Sequence, residues 1–175
     1  MQQIIELTLE QVDAYSSIKP VLDGNIFHVT PLRNLDPILQ AQEIRPNSSG
    51  NLEGAFGSYI NSYARIRNRV SLFDFHNPPE SKIEQHVRKC LPTRGASSDQ
   101  PLAFLFLSEN FWPQVIPYSR EEFEANLGHQ VVPYVEATYP GPIPLHAINK
   151  IFRITFAEDP NSLASLLKRA HKNAL

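Results

Sequence analysis

The chain has 175 residues, of which 42% are hydrophobic and 19% charged, with a formal net charge of -2. These values suit one globular domain with a real core and exclude a disordered chain or one held on nucleic acid by bulk charge alone, although a local basic patch stays open. A single cysteine, Cys90, excludes an intrachain disulfide, and 15 prolines against 7 glycines favour short elements with stiff connections.

The opening stretch MQQIIELTLEQ lacks a basic segment followed by an apolar core, so no signal peptide is expected. No apolar run approaches bilayer-spanning length, and a reduced, cytoplasmic setting is the expectation. Thr8 and Gln11 have capping-box spacing and predict a first helix over roughly residues 8–16, ended by Pro20, so that the N-terminal helix falls within about 8–20. NIFHVT then reads as a strand. Asp36 followed by Pro37 is a helix entry, and that helix covers about 36–43 before Pro46.

Residues 47–69 form a polar, glycine-bearing middle with Arg65, Arg67 and Arg69, read as a long loop with a short helix around Ser58 to Arg67. VSLFDF is a strand, and PESKIEQHVRKCL has helical periodicity through Ile83, Val87 and Leu91. PTRGASSDQP is a loop and LAFLFLS the most apolar strand. REEFEANLG predicts a short helix stopped by Gly128. QVVPYVEATY reads as a strand whose Pro133 marks an edge or bulge, PGPIP as a rigid turn, and KIFRITF as the last strand. A closing helix over about 161–173 puts Leu163, Leu166, Leu167 and Ala170 on one face. Strands and helices without regular βαβ alternation predict an α+β fold in a single domain over 1–175, its core about 25–156.

Several chemical signals are missing. Gly50, Gly54 and Gly57 are not followed by Lys-Ser or Lys-Thr, so there is no P-loop, and no GxSxG or HExxH occurs. His86 with Cys90 is a lone pair without further ligands, so no metal is expected, and Cys90 reads as a packed, inert thiol. What remains is His28 in IFHVT and Glu136 in PYVEATY, each an ionisable group in an apolar strand followed by a proline-bearing turn. Alternation puts Ile26, His28 and Thr30 on one face, and Tyr134, Glu136 and Thr138 on one face. A cleft between them would hold an imidazole, hydroxyls and a carboxylate. On a purely structural reading, His28 bonds a main-chain carbonyl and Glu136 points to solvent.

FHVTPLRNLDPILQAQEIRPN resembles the opening motif of ADP-ribosyltransferase-fold proteins, closest to DarT-like and related bacterial toxin-type members. There a strand carrying His-x-Thr precedes Asn-Leu-x-x-Ile-Leu on the first helix. VSLFDF resembles the second core strand, and VPYVEATYPGPIPLHAI the late strand in which a Glu precedes x-x-Ile-Pro-x-x-x-Ile. The resemblance spans roughly 25–156 in the expected order and implies a split, mostly antiparallel sheet of ADP-ribosyltransferase type. On matching positions it implies that Glu136 is the catalytic glutamate, that His28 contacts the ribose next to nicotinamide, and that Thr30 lies beside the nicotinamide pocket. Tyr59, Tyr63 and Phe75 are the candidates to stack on nicotinamide. Ser71 on the second core strand and Arg45 after the first helix count among the cofactor-binding positions. Tyr134 stands where arginine-directed members often carry a second acid, which argues against an arginine acceptor.

The chemistry suits the residue types independently. Breaking the nicotinamide–ribose bond builds positive charge on the ribose, which a carboxylate stabilises. The pyrophosphate of NAD+ calls for cations, and Arg45 with the Arg65, Arg67 and Arg69 group are candidates, with a solvated helix face as their other reading. The implied partners are NAD+ as substrate, a protein, DNA or RNA acceptor, and an antitoxin or immunity protein, with no membrane. Two further readings stay open: a non-catalytic nucleotide- or nucleic-acid-binding module on the same fold, and an RNA 2′-phosphotransferase-like enzyme, which leans on several arginines converging with a histidine.

Overall fold

Six consecutive buried residues, Leu102 to Leu107, make strand β5 (Leu102–Leu107) the centre of the molecule. A strand apolar on both faces must be covered on both faces. The computed structural model describes residues 2–10, 13–55, 62–76, 80–94, 96–118, 131–157, 161 and 165–166. The remaining elements in chain order are β1 (Gln3–Glu10), α1 (Ala14–Leu22), β2 (Ile26–Pro31), α2 (Leu35–Ala41), β3 (Glu43–Ile44), α3 (Tyr63–Ile66), β4 (Arg69–Asp74), α4 (Glu80–His86), β6 (Ile116–Pro117), β7 (Glu136–Pro140), β8 (Ile143–Pro144) and β9 (Ile148–Ala157).

Seven strands form one open mixed sheet in the order β1-β9-β5-β2-β4-β7-β6. Its pairings are antiparallel except β1 with β9, which is parallel. A second, two-stranded sheet pairs β3 with β8. The result is a single α+β domain with a mostly antiparallel sheet.

One face of the sheet packs against α1 and α4. Phe27 is its hub, with ring centroids 5.4 Å from Phe73, 5.3 Å from Phe75, 5.7 Å from Phe104 and 5.4 Å from Phe106. Burying each such ring stabilises the fold by roughly 1.5–3 kcal/mol. The other face carries Ile26, Leu72, Leu105 and Ile151 under Leu35, Ile44 and Ile143, so α2 and the β3–β8 ribbon cover it.

The N-terminal expectation is overturned. Thr8 and Gln11 do not cap a helix: Thr8 lies within β1, and its hydroxyl meets that of Thr155 at 3.1 Å. Alternation wins over the capping spacing. Ile5, Leu7 and Leu9 pack inward while Ile4, Glu6, Thr8 and Glu10 stay outside, a period of two that only a strand satisfies. The helix comes later, and Pro20 lies inside it. Ala14, Ile18 and Leu22 are buried on one side, and that packing offsets the hydrogen bond Pro20 cannot make. Gly24 (φ 74) then turns the chain into β2.

The late strand is shorter than expected and begins only at Glu136, because residues 132–135 form a turn around Pro133 and Tyr134 (φ 66). The helices expected over 120–128 and 161–173 fall almost wholly outside the described residues. Among the described residues, no helix is long and apolar enough to cross a membrane.

A candidate active site in the opening between β2 and β4

β2 and β4 pair at Ile26↔Asp74 and Phe27↔Phe73, then part, while β2 continues along β5 to Pro31 and β4 continues along β7 from Phe73↔Glu136 to Arg69↔Pro140. The imidazole of His28 lies where the pairing stops, with Nδ1 2.9 Å from the main-chain oxygen of Ser71. A carbonyl only accepts, so Nδ1 carries the proton and, in the neutral ring, Nε2 is left as an acceptor. Burial holds His28 below its ordinary pKa, partly offset by the bond to Ser71, so the neutral ring is favoured.

A cleft of about 610 Å3 opens here, within the range of small-molecule sites. It is lined by His28, Ser71, Phe73 and Glu136 from the sheet, by Arg45, Asn47, Gly54 and Ala55 from the segment after β3, by Arg65 and Arg69 around α3, and by Lys89, Cys90 and Arg94 beyond α4. The register puts Glu136 on the face of Phe73 and Phe27, whereas His28, one residue along β2, belongs to the opposite face. Alternation alone would separate them. They line one cleft because the strands have parted between them.

Glu136 is held from its own chain. Its Oε2 accepts from the Val132 N–H at 2.6 Å, and its N–H donates to the Val132 carbonyl at 3.0 Å. Burial pushes its carboxyl up to about 7, and the Val132 N–H pulls the other way. The purely structural reading thus fits one residue and not the other: His28 does bond a main-chain carbonyl, but Glu136 does not point to solvent.

Around this carboxylate the cations are arranged unequally. Arg69 donates from Nη1 to the Tyr63 hydroxyl (3.3 Å) and to Thr138 Oγ1 (3.4 Å), and has no carboxylate partner among the described residues. Arg65 donates to the carbonyls of Ser48 (3.3 Å) and Ser49 (3.2 Å), and Arg94 to that of Lys89 (2.9 Å). Arg45 is paired with Glu43 at 2.7 Å and is largely exposed. Among the described residues the lining therefore carries five cationic side chains and one acid whose charge burial disfavours, an arrangement suited to an anionic ligand.

Of the residues singled out in the sequence as ligand contacts, His28, Arg45, Arg65, Arg69, Ser71 and Glu136 meet at the cleft. Thr30 does not: it is buried and accepts from Asn34 Nδ2 at 2.9 Å, tying β2 to the turn that follows. Phe75 is core beneath Phe27, closed to any ligand. Tyr63 is buried edge-on to Tyr118, with ring centroids 4.3 Å apart, and lines a water-sized cavity beside the cleft. Tyr59 lies outside the described residues. Arg67 is not part of the lining; its guanidinium lies over the Tyr63 ring at 5.9 Å.

Lys89 and Arg94 were not anticipated. They sit in the 3-10 turn after α4 and in the loop that follows, and nothing local in PTRGASSDQP says that this loop returns to the cleft. Cys90 lies between them, and burial first, then the Glu136 carboxylate, push its thiol up to about 12 against the pull of Arg94, so it is no nucleophile. Among the described residues no group of three or more His, Cys, Asp and Glu side chains is placed to hold a metal ion. Comparison of the chain with protein-family models, with curated proteins and with solved structures found no match.

Proposed function

We propose that this chain is an NAD+-dependent ADP-ribosyltransferase of bacterial effector or toxin type, on a split sheet of ADP-ribosyltransferase type, acting on a protein or nucleic-acid acceptor. The observation that carries the reading is that His28 and Glu136, from strands on either side of β4, line one cationic cleft where β2 and β4 part. In this reading the Arg65, Arg69 and Arg94 guanidinium groups take the pyrophosphate of NAD+, and the neutral His28 ring positions the ribose next to nicotinamide. As the bond between nicotinamide and ribose C1′ breaks, its electron pair leaves with nicotinamide and the ribose gains oxocarbenium character. Ionised Glu136 stabilises that charge, and its second oxygen takes the proton of the attacking acceptor hydroxyl or amine. Dilute cleft water serves as acceptor in a slow background hydrolysis.

The test is release of nicotinamide from NAD+ by the purified chain, compared with Glu136→Gln. The expected result is measurable release that falls at least about a hundredfold in the variant, while NAD+ still raises the melting temperature of both. A wild-type chain that neither binds nor cleaves NAD+ would leave the binding-module reading in its place.

One observation favours a second reading. Arg45, Arg65, Arg69 and Arg94 line the same cleft as His28, the convergence that an RNA 2′-phosphotransferase-like reaction needs. There a phosphate oxygen of the RNA 2′-phosphate attacks ribose C1′ and expels nicotinamide, and a ribose hydroxyl of the adduct then attacks the phosphorus and frees the RNA 2′-hydroxyl. An RNA bearing a 2′-phosphate therefore separates the two: dependence of nicotinamide release on that phosphate selects the phosphotransferase.

A further inference from the structure

Tyr134 is one of three non-glycine residues with positive φ among those described, at 66°, a conformation that costs an ordinary side chain energy and needs a reason. It occupies the third position of the turn Val132–Pro133–Tyr134–Val135, closed by the Val135 N–H on the Val132 carbonyl at 3.4 Å. Positive φ at the third position is what a type II turn requires, and proline is common at its second. The same Val132 carbonyl accepts from the Glu136 N–H, and the Val132 N–H donates to the Glu136 carboxylate, so both polar groups of the Val132 main chain are committed to residues 135 and 136.

The turn is clamped from two sides. Val135 is fully buried, and its carbonyl accepts from the Asp74 N–H at 2.9 Å. On the other side the Tyr134 ring meets α4: the His86 ring lies 5.4 Å away and the Lys82 ammonium 5.5 Å from the ring centroid.

We propose that Tyr134 is a positioning residue: its left-handed backbone closes the turn that presents the Val132 N–H to Glu136 and thereby fixes the direction in which the carboxylate faces the cleft. The kinetic arm of the test rests on the reading of Glu136 as the reacting carboxylate; the titration arm does not. Among the described residues, the titratable and charged groups around this carboxyl and its turn are Lys89, Cys90 and Arg94 beyond α4, Lys82 and His86 on α4, and His28, Arg45, Arg65 and Arg69 in the same cleft.

Three variants separate backbone from ring. Tyr134→Gly and Tyr134→Val both remove the ring, but glycine adopts positive φ freely and a β-branched residue does not. The expected result is that Tyr134→Gly keeps nicotinamide release within about twofold of wild type. Tyr134→Val loses at least about tenfold in kcat, with KM for NAD+ nearly unchanged. Titration of carbon-13-labelled glutamate carboxyls by NMR, without NAD+, reads the same contact directly. Glu136 in Tyr134→Gly titrates as in wild type, and in Tyr134→Val at higher pH, because the Val132 N–H no longer favours its charged form. Should Tyr134→Val fail to fold, Tyr134→Ala takes its place with a smaller shift in the same direction. Equal losses in the glycine and valine variants would assign the effect to the ring and overturn the proposal. So would wild-type titration of Glu136 in the valine or alanine variant. If wild type releases no nicotinamide, the enzymatic reading falls and the titration alone decides the role of Tyr134.

Discussion

The imidazole of His28 occupies the place of a missing ladder bond: its Nδ1–H donates to the Ser71 carbonyl at 2.9 Å, just beyond the last β2–β4 pair at Phe27↔Phe73. A side chain thus satisfies a main-chain acceptor that a parted sheet would otherwise leave buried and unpaired. His28→Ala removes that donor and is expected to destabilise the fold by about 1–3 kcal/mol. In the proposed reaction it also removes a positioning contact, so KM for NAD+ rises and turnover slows together. A melt and a steady-state assay on the same preparation check both; an unchanged melting temperature would show that the Ser71 bond contributes nothing.

His28 and Glu136 oppose each other in their effect on stability with pH. The His28 pKa is lowered on folding, so its contribution is fully present above the unfolded value near 6.5 and is lost as pH falls. The Glu136 pKa is raised, from 4.5 to about 7, so its contribution is present below 4.5 and is lost as pH rises through about 7. Glu136→Gln is therefore expected to stabilise the protein at pH 8, by on the order of 3 kcal/mol at most, and to do little at pH 4. Denaturant unfolding at the two pH values measures this. A variant less stable than wild type at pH 8 would show that the carboxylate is not held at a cost. The same ionisation predicts that kcat/KM for nicotinamide release climbs with pH to a plateau past about 7.

Arg69 and Arg67 make a matched pair for testing the anion site, since they flank one residue and both lie 5.9 Å from the Tyr63 ring centroid. Only Arg69 lines the cleft. Arg69→Ala is expected to weaken NAD+ about tenfold or more, the value of a hydrogen bond to a charged group, whereas Arg67→Ala leaves affinity within about twofold. Calorimetry at low salt resolves the difference. Equal affinities would remove Arg69 from the ligand's path.

How much of this was legible in the sequence varies by residue. His28 and Glu136 stood out because an ionisable group in an apolar strand has few structural excuses. A shared cleft was expected from their two polar faces, but the way they reach it was not legible: the register assigns them to opposite faces of the sheet, and the parting of β2 from β4 joins them. Thr30 and Phe75 share their strand positions with cleft residues, yet Asn34 and Phe27 claim them for the interior. β1 was misread because Thr8 and Gln11 match a cap locally, while the evidence for a strand, its pairing with residues 150–157, lies at the far end of the chain. Arg94 was beyond reach for the same reason: a loop's destination is a tertiary fact.

The rim of the cleft depends on a glycine. Gly50 has φ 75, and the Arg65 guanidinium that bonds Ser48 and Ser49 fills the space a Cβ would need. Gly50→Ala is expected to cost about 1 kcal/mol through the backbone and to push Arg65 from its carbonyls, weakening NAD+ as well. Thermal melts with and without NAD+ read the two effects separately; an alanine variant identical to wild type in both would show that the rim is not held by this contact.

The parallel pairing of β1 with β9 has a consequence for the order of assembly. On the ribosome the first strand emerges more than a hundred residues before the strand it pairs with, from Gln3↔Lys150 to Glu10↔Ala157. Local helices and the β4–β7 pairing do not need it, but the outer edge of β9 stays open until the earliest segment returns to it. Such a long closure is slow and leaves a strand edge available to other chains in the meantime. Removing residues 3–10 is accordingly expected to yield a protein that gains its central sheet and then self-associates along β9, visible as a concentration-dependent sedimentation shift that the intact chain lacks.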